Sequence, residues 1–216
     1  MGGELNMRMK DEFEFRFALC FPDTYEIGMS HLGSRIVYNV LNNRSDTFCE
    51  RAFAPWVDME KLLREENEKL FSIETKTPLD EFDIIGFSLL YEMCYTNLLN
   101  MLELSGIPLT TAERGDKYPL IVAGGPCVCN SEPLAEIVDV FFFGDGEELM
   151  NDFMDCYATC MHKGLSRHEM LIELSKIKGI YVPSFYRAEY ENGEFSRLIK
   201  LEEAAPDAVT RRIVRD

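Results

Sequence analysis

Asp83-Ile84-Ile85-Gly86-Phe87-Ser88-Leu89 (DIIGFSL) is an apolar run with no solvated side. A strand on an antiparallel surface alternates apolar and polar residues, whereas one covered on both faces of a parallel sheet reads as a continuous apolar run. This stretch is of the second kind, and its neighbours repeat the pattern. Phe15–Phe21 (FRFALCF) is aromatic-rich and stops at Pro22; Phe48–Ala54 stops at Pro55; Leu120–Ala123 runs into Gly124-Gly125-Pro126; Val138–Phe143 runs into Gly144-Asp145-Gly146. Between these strands lie helical stripes. Ser30 is placed to cap a helix whose apolar positions are Leu32, Ile36, Val37, Val40 and Leu41. Asp58 opens a short charged helix through about Leu70, and Met93–Leu104 is a helix stopped by Gly106 and Pro108. Leu149, Met150, Phe153, Met154, Tyr157 and Met161 line one face of another, and Ser166 with Glu169 forms a capping box opening a last helix to about Lys176. Strands alternating with helices in this way predict an α/β three-layer sandwich with a parallel five-stranded sheet and right-handed crossovers.

Past Gly179 the period changes. Tyr186–Tyr190 and Glu194–Ile199 alternate around Asn192-Gly193, a hairpin signal. Glu202–Asp216 is charged and has no hydrophobic face, so it reads as a linker.

The 216 residues carry 22 Lys+Arg against 38 Asp+Glu, a formal charge of −16. A surface that acidic repels phosphate backbones, so the chain is not expected to bind nucleic acid by itself. No apolar run approaches the roughly 20 residues of a membrane span, and the Glu12–Phe17 stretch, alternating charge and Phe, is unlike a signal peptide. The seven cysteines are odd in number and irregular in spacing, which reads as reduced thiols of a cytoplasmic protein. Cys156 and Cys160 stack on one helical face, but a metal site needs further ligands, and His162 reaches them only by geometry a straight helix disfavours.

In a doubly wound sheet, ligands bind outside the carboxyl ends of the strands. The peculiar residues of this chain gather there: Tyr25, Ser30, His31 and Gly33 after the first strand; Ser88 and Tyr91 after the third; Gly124, Gly125 and Pro126 after the fourth; Gly144, Gly146 and Glu147 after the fifth. Glycines at such turns let backbone come close to a ligand, or simply make tight turns. His31 reads as a metal ligand, a donor to a ligand, or a helix cap. Tyr25, Tyr91 and Tyr95 read as stacking groups or as core. A dinucleotide reading is weaker, because Leu149 stands where a third glycine belongs and Glu147 and Glu148 oppose a pyrophosphate at the helix start.

The block GGPCVCNSEPLAEIVDVFFFGDGEE (124–148) resembles the signature of cobalamin-binding-like domains that precede radical S-adenosylmethionine (radical SAM) barrels. FPDTYEIGMSHLGSRIVYNVLN, DEFDIIGFSLLYEMCYTNLLNMLELSGIP and KIKGIYVPSFY are similar to the N-terminal region of uncharacterised bacterial radical SAM proteins. The residues matching the signature are Gly124, Gly125, Pro126, Glu132, Asp139, Gly144, Gly146 and Glu147. The resemblance implies a flavodoxin-like, cobalamin-binding-type domain over residues 1–180, with 181–216 a hairpin and linker toward a radical SAM barrel. It implies cobalamin as the cofactor of this domain, with His31 or Tyr25 facing the cobalt. The four-iron cluster and S-adenosylmethionine would belong to the barrel, because the cluster motif C-x-x-x-C-x-x-C is not met: Lys163 follows Cys160 at the third position. The histidine motif D-x-H-x-x-G is not met either, Asp23 standing eight residues before His31 and Gly33 two after it. Relatives without that motif hold the corrin without the histidine. The function implied is a module that positions a corrin, or part of the substrate, over the barrel; the alternative is a cofactor-free scaffold or interaction domain of the same enzyme, and a free-standing flavin-type nucleotide binder is a third reading.

Overall fold

The computed structural model describes residues 8–214. The elements follow in the order β1 (Phe15–Phe21), α1 (Tyr25–Ser30), α2 (Leu32–Asn43), β2 (Thr47–Phe53), α3 (Val57–Glu66), β3 (Ile84–Ser88) and α4 (Tyr95–Leu104). Then come α5 (Thr111–Arg114), β4 (Leu120–Gly124), β5 (Val140–Phe142), α6 (Gly146–His162), α7 (Arg167–Ser175), β6 (Ile180–Tyr181), β7 (Tyr186–Glu191) and β8 (Glu194–Lys200). The main sheet has the order β2-β1-β3-β4-β5-β6, while β7 and β8 form a separate hairpin.

The first five strands are parallel, as the apolar runs predict. The sheet departs from the expected five strands by one: Ile180 and Tyr181 add an antiparallel edge on Phe142 and Phe141. Two residues are too few to show a period, so the sequence gives this strand no pattern of its own.

Alternation within β1 divides the core. Phe15, Phe17 and Leu19 face one way, joined by Ile84, Val122 and Val140 under α2, α6 and α7. Ala18 and Cys20 face the other, joined by Ile85, Phe87, Ile121 and Ala123 under α4. Three layers result.

Helix starts differ from expectation in two places. Ser30 ends α1 and donates its hydroxyl to the Ile27 carbonyl (2.7 Å), so it does not cap α2; His31 does. Asp58 lies in the first turn of α3, which starts after Trp56 and ends at Asn67 in a left-handed conformation, short of Leu70. The Ser166–Glu169 capping box is present, and a second joins Thr110 to Glu113. The hairpin turns at Asn192-Gly193 as predicted.

The amino end of the sheet is held by a buried ion cluster. Asp139, 4% exposed, accepts from Arg114 (3.2 Å), Arg167 (3.4 Å) and the Ile121 amide (2.8 Å). The final segment does more than link: Arg212 pairs with Gly144 in a parallel bridge at the carboxyl end of β5.

Candidate functional site

Strand order reverses between β1 and β3, so the helices following them leave to opposite faces and a crevice opens at their carboxyl ends. A cavity of about 330 Å³ lies there, between the sheet and α2 and α6. Its floor is Phe17, Leu19, Val122 and Phe142; its helical wall is Ile36, Val37, Leu149 and Met150. These walls are apolar because the positions belong to the same core stripes that pack the helices on the sheet.

The polar groups enter at the mouth. His31, Gly33, Ser88, Gly124, Gly125, Pro126, Gly144, Gly146 and Glu147 all line the cavity. Sequence reasoning missed Ser34 and Asp145, which line it too. The spacing His31-x-x-Ser34, a cap and its third helical residue, is the signal that could have found Ser34.

Three expected residues lie elsewhere. The Tyr25 ring packs edge-on against Phe53 at 5.4 Å, toward the β2 edge. Ser30 is exposed and bonded to its own helix. The Tyr91 hydroxyl donates to the Asp23 carboxylate, tying the β3 loop to the β1 loop, and that bond pushes its pKa up to about 12. Tyr95 donates to the Asn130 carbonyl (2.8 Å). Of the residues shared with the signature, Glu132 accepts from Tyr181 (2.6 Å) and Asp139 belongs to the buried ion cluster; neither lines the cavity.

His31 has a defined chemistry. Its Nδ1 accepts from the Ser34 amide (3.1 Å), so in the neutral ring the proton resides on Nε2. Burial lowers its pKa, which keeps the ring neutral at pH 7. A metal-ligating imidazole instead donates from its second nitrogen and offers a lone pair to the metal. His31 is therefore a cap and an Nε2–H donor. Gly33 makes room for it: a Cβ there would lie 2.8 Å from His31 Cε1.

Two mouth glycines are required by the fold itself. Gly125 (φ +115°) and Gly144 (φ +128°) occupy backbone conformations that side chains rarely adopt. A Cβ at Gly125 would overlap the Leu89 carbonyl, and one at Gly144 the Arg212 carbonyl. Close backbone packing, rather than a ligand, accounts for both.

Among the described residues, no three of His, Cys, Asp and Glu are grouped so as to hold a metal ion. His162 instead contacts Glu14 (2.5 Å), and Cys160 is buried. No helix among the described residues is long and apolar enough to cross a membrane.

No curated protein matches the chain. A family model described as "Radical SAM proteins, N-terminal" matches residues 33–183, well over half of the sequence and every cavity-lining element from α2 to α6. With its crevice at the switch point and that match, the chain belongs to the family of radical SAM protein N-terminal regions.

Proposed function

We propose that this chain is the flavodoxin-like N-terminal module of a radical SAM enzyme, and that its cavity holds the tail of a corrin, or an equivalent flat part of the substrate, for the catalytic domain. The observation that carries this reading is convergence: turns after four strands meet on one cavity of about 330 Å³. That volume suits a planar heterocycle between apolar walls, with the larger ring system lying outside on the rim. Strand order 2-1-3-4-5 is the flavodoxin-like one and favours the same location.

Cobalamin fits these residues only without a protein axial ligand. His31 uses the lone pair of Nδ1 on the Ser34 amide, which leaves Nε2–H as its donor, and the residue lines the cavity. Val122 and Phe142 on the floor and Val37 and Met150 on the helical wall would sandwich the tail; Ser88, Ser34 and His31 would meet its polar edge. A bound corrin supplies cobalt-centred chemistry, and the protein's part is binding and orientation. The iron–sulfur cluster and S-adenosylmethionine belong, in this reading, to the domain that follows. Ile27, Leu32, Trp56, Val57 and Met93, each 48–84% exposed, follow β1, β2 and β3 on the same rim and would pack against that domain.

A cofactor-free scaffold is the second reading, favoured by the fact that Gly125 and Gly144 serve the protein's own backbone contacts. Titration with hydroxocobalamin separates the two. The proposal expects a visible spectral shift and co-elution on gel filtration, both lost in Val122→Trp, whose ring fills the cavity. Absence of shift and co-elution for the unsubstituted protein would leave the scaffold.

A further inference from the structure

The Gly144–Glu147 wall of the cavity is backed by the last described residues of the chain. The Arg212 amide donates to the Phe143 carbonyl (2.8 Å), and the Asp145 amide donates to the Arg212 carbonyl (3.1 Å). The Arg212 guanidinium reaches Glu148 (2.9 Å) and Asp152 (2.7 Å) on α6. Two further contacts close on the α6 cap: the Val214 amide donates to Asp145 Oδ2 (3.0 Å), and Arg211 lies 3.7 Å from Asp145 Oδ1. Asp145 makes no side-chain cap bond to its own helix. Its carboxylate is engaged by the terminal segment instead.

We propose that Arg212 is a positioning residue of the cavity: residues 211–214 clasp the Gly144–Glu147 wall, so that the path of the chain leaving this domain sets the shape of the binding site. The inference rests on the cavity reading above. It requires that the bridge at Gly144, where any side chain would collide with Arg212, and the ion pairs on the first two turns of α6 act together. Glu147 and the Gly146 backbone, which line the cavity, lie between those two anchor points.

Hydrogen exchange on the 216-residue protein tests it. Loss of the two side-chain ion pairs, which leaves the backbone bridge without its anchor on α6, should speed exchange in 143–150 about tenfold in Arg212→Ala. Exchange of Ile84–Ser88, in the sheet centre, should not change. Arg212→Lys should recover part of the protection, and 1 M salt should loosen the unsubstituted protein as Arg212→Ala does, since the Debye length then falls to about 3 Å. Equal exchange at 143–150 in both proteins overturns the clasp, as does equal acceleration at 84–88, which would make Arg212 a contributor to global stability alone. Hydroxocobalamin should bind Arg212→Ala several-fold more weakly than the unsubstituted protein. Equal affinity overturns the positioning role; no binding by the unsubstituted protein overturns the corrin reading and leaves the exchange result to decide the clasp.

Discussion

If His31 is a cap rather than a ligand, its two nitrogens can be separated by substitution. Asn places Oδ1 where the imidazole has Nδ1, so His31→Asn keeps the acceptor for the Ser34 amide and removes Nε2. His31→Ala removes both. Loss of an N-cap costs about 1 kcal/mol, within a range of about 0.5–2. For a chain of this size that shifts Tm by roughly 2–4 °C. The expected order of stability is therefore unsubstituted and Asn together, Ala below them, read by urea or thermal unfolding. Equal destabilisation by Asn and Ala would refute the cap.

The glycine beside it supplies a second reading of the same contact. Gly33→Ala adds a Cβ 2.8 Å from His31 Cε1, so the ring must shift and the cap bond with it. In His31→Ala the obstacle is gone, and the usual preference of a helix for Ala over Gly should appear, about 0.5–1 kcal/mol. Gly33→Ala should thus destabilise the unsubstituted protein and stabilise His31→Ala, a coupling of about 1 kcal/mol or more in a double-mutant cycle. Additive effects would show that ring and backbone do not touch. The pH dependence carries a sign. Burial holds the folded His31 below the ordinary value of 6.5, so the unfolded chain takes up the proton first. Stability due to this site is complete above pH 6.5 and is lost as pH falls toward and through the folded value. His31→Asn should abolish that component.

Two further substitutions test the frame that holds the cavity. Arg114→Met removes a fully buried guanidinium and leaves Asp139 with Arg167 at 3.4 Å as its one remaining charged partner beside the Ile121 amide; breaking such a pair costs about 3–5 kcal/mol, and Asp139→Asn in the same protein should return part of it. Chemical denaturation giving less than about 1 kcal/mol would contradict the account of that cluster. Gly86→Ala places a Cβ 2.5 Å from Phe17 Cζ and should cost about 1–3 kcal/mol by overpacking, with Phe17→Leu in the same chain relieving it. A loss undiminished in the double variant would mean that the ring is not the obstacle.

The layers were legible because the five parallel strands are covered on both faces, and such strands announce themselves as apolar runs. The location of the cavity follows from the same pattern, since glycine-bearing turns at strand ends can converge only at one rim of a parallel sheet. Side-chain direction was not legible. Tyr25 and Tyr91 sit beside strand ends like the lining residues, yet neighbours distant in sequence, Phe53 and Asp23, turn them elsewhere. Ser30 has the better capping chemistry, but its hydroxyl is taken by the preceding turn, and the cap falls to His31. The Arg212 bridge escaped for a related reason: a single paired residue in a charged stretch carries no period, and its partner lies 68 positions earlier in the chain.

Charge at the mouth restricts what the cavity can take. Among the described residues no Lys or Arg lines it, whereas Asp145 and Glu147 do. A helix start usually offers its positive end to a phosphate. Here Glu147 and Glu148 already occupy the first turn of α6 and supply the negative charge that end favours. A dinucleotide would bring its pyrophosphate against both carboxylates. Arg212 neutralises Glu148 from outside the cavity, so the acidic first turn of α6 faces partly residues 211–214 and partly the cavity. Glu147, which opposes a pyrophosphate at the mouth, is thus the neighbour on one helical turn of Glu148, which pairs with Arg212. A flat heterocycle set between Phe142 on the floor and Met150 on the helical wall, its polar edge toward Ser34 and Ser88 and the single phosphate of a corrin tail left outside the mouth, is the occupant the proposal calls for.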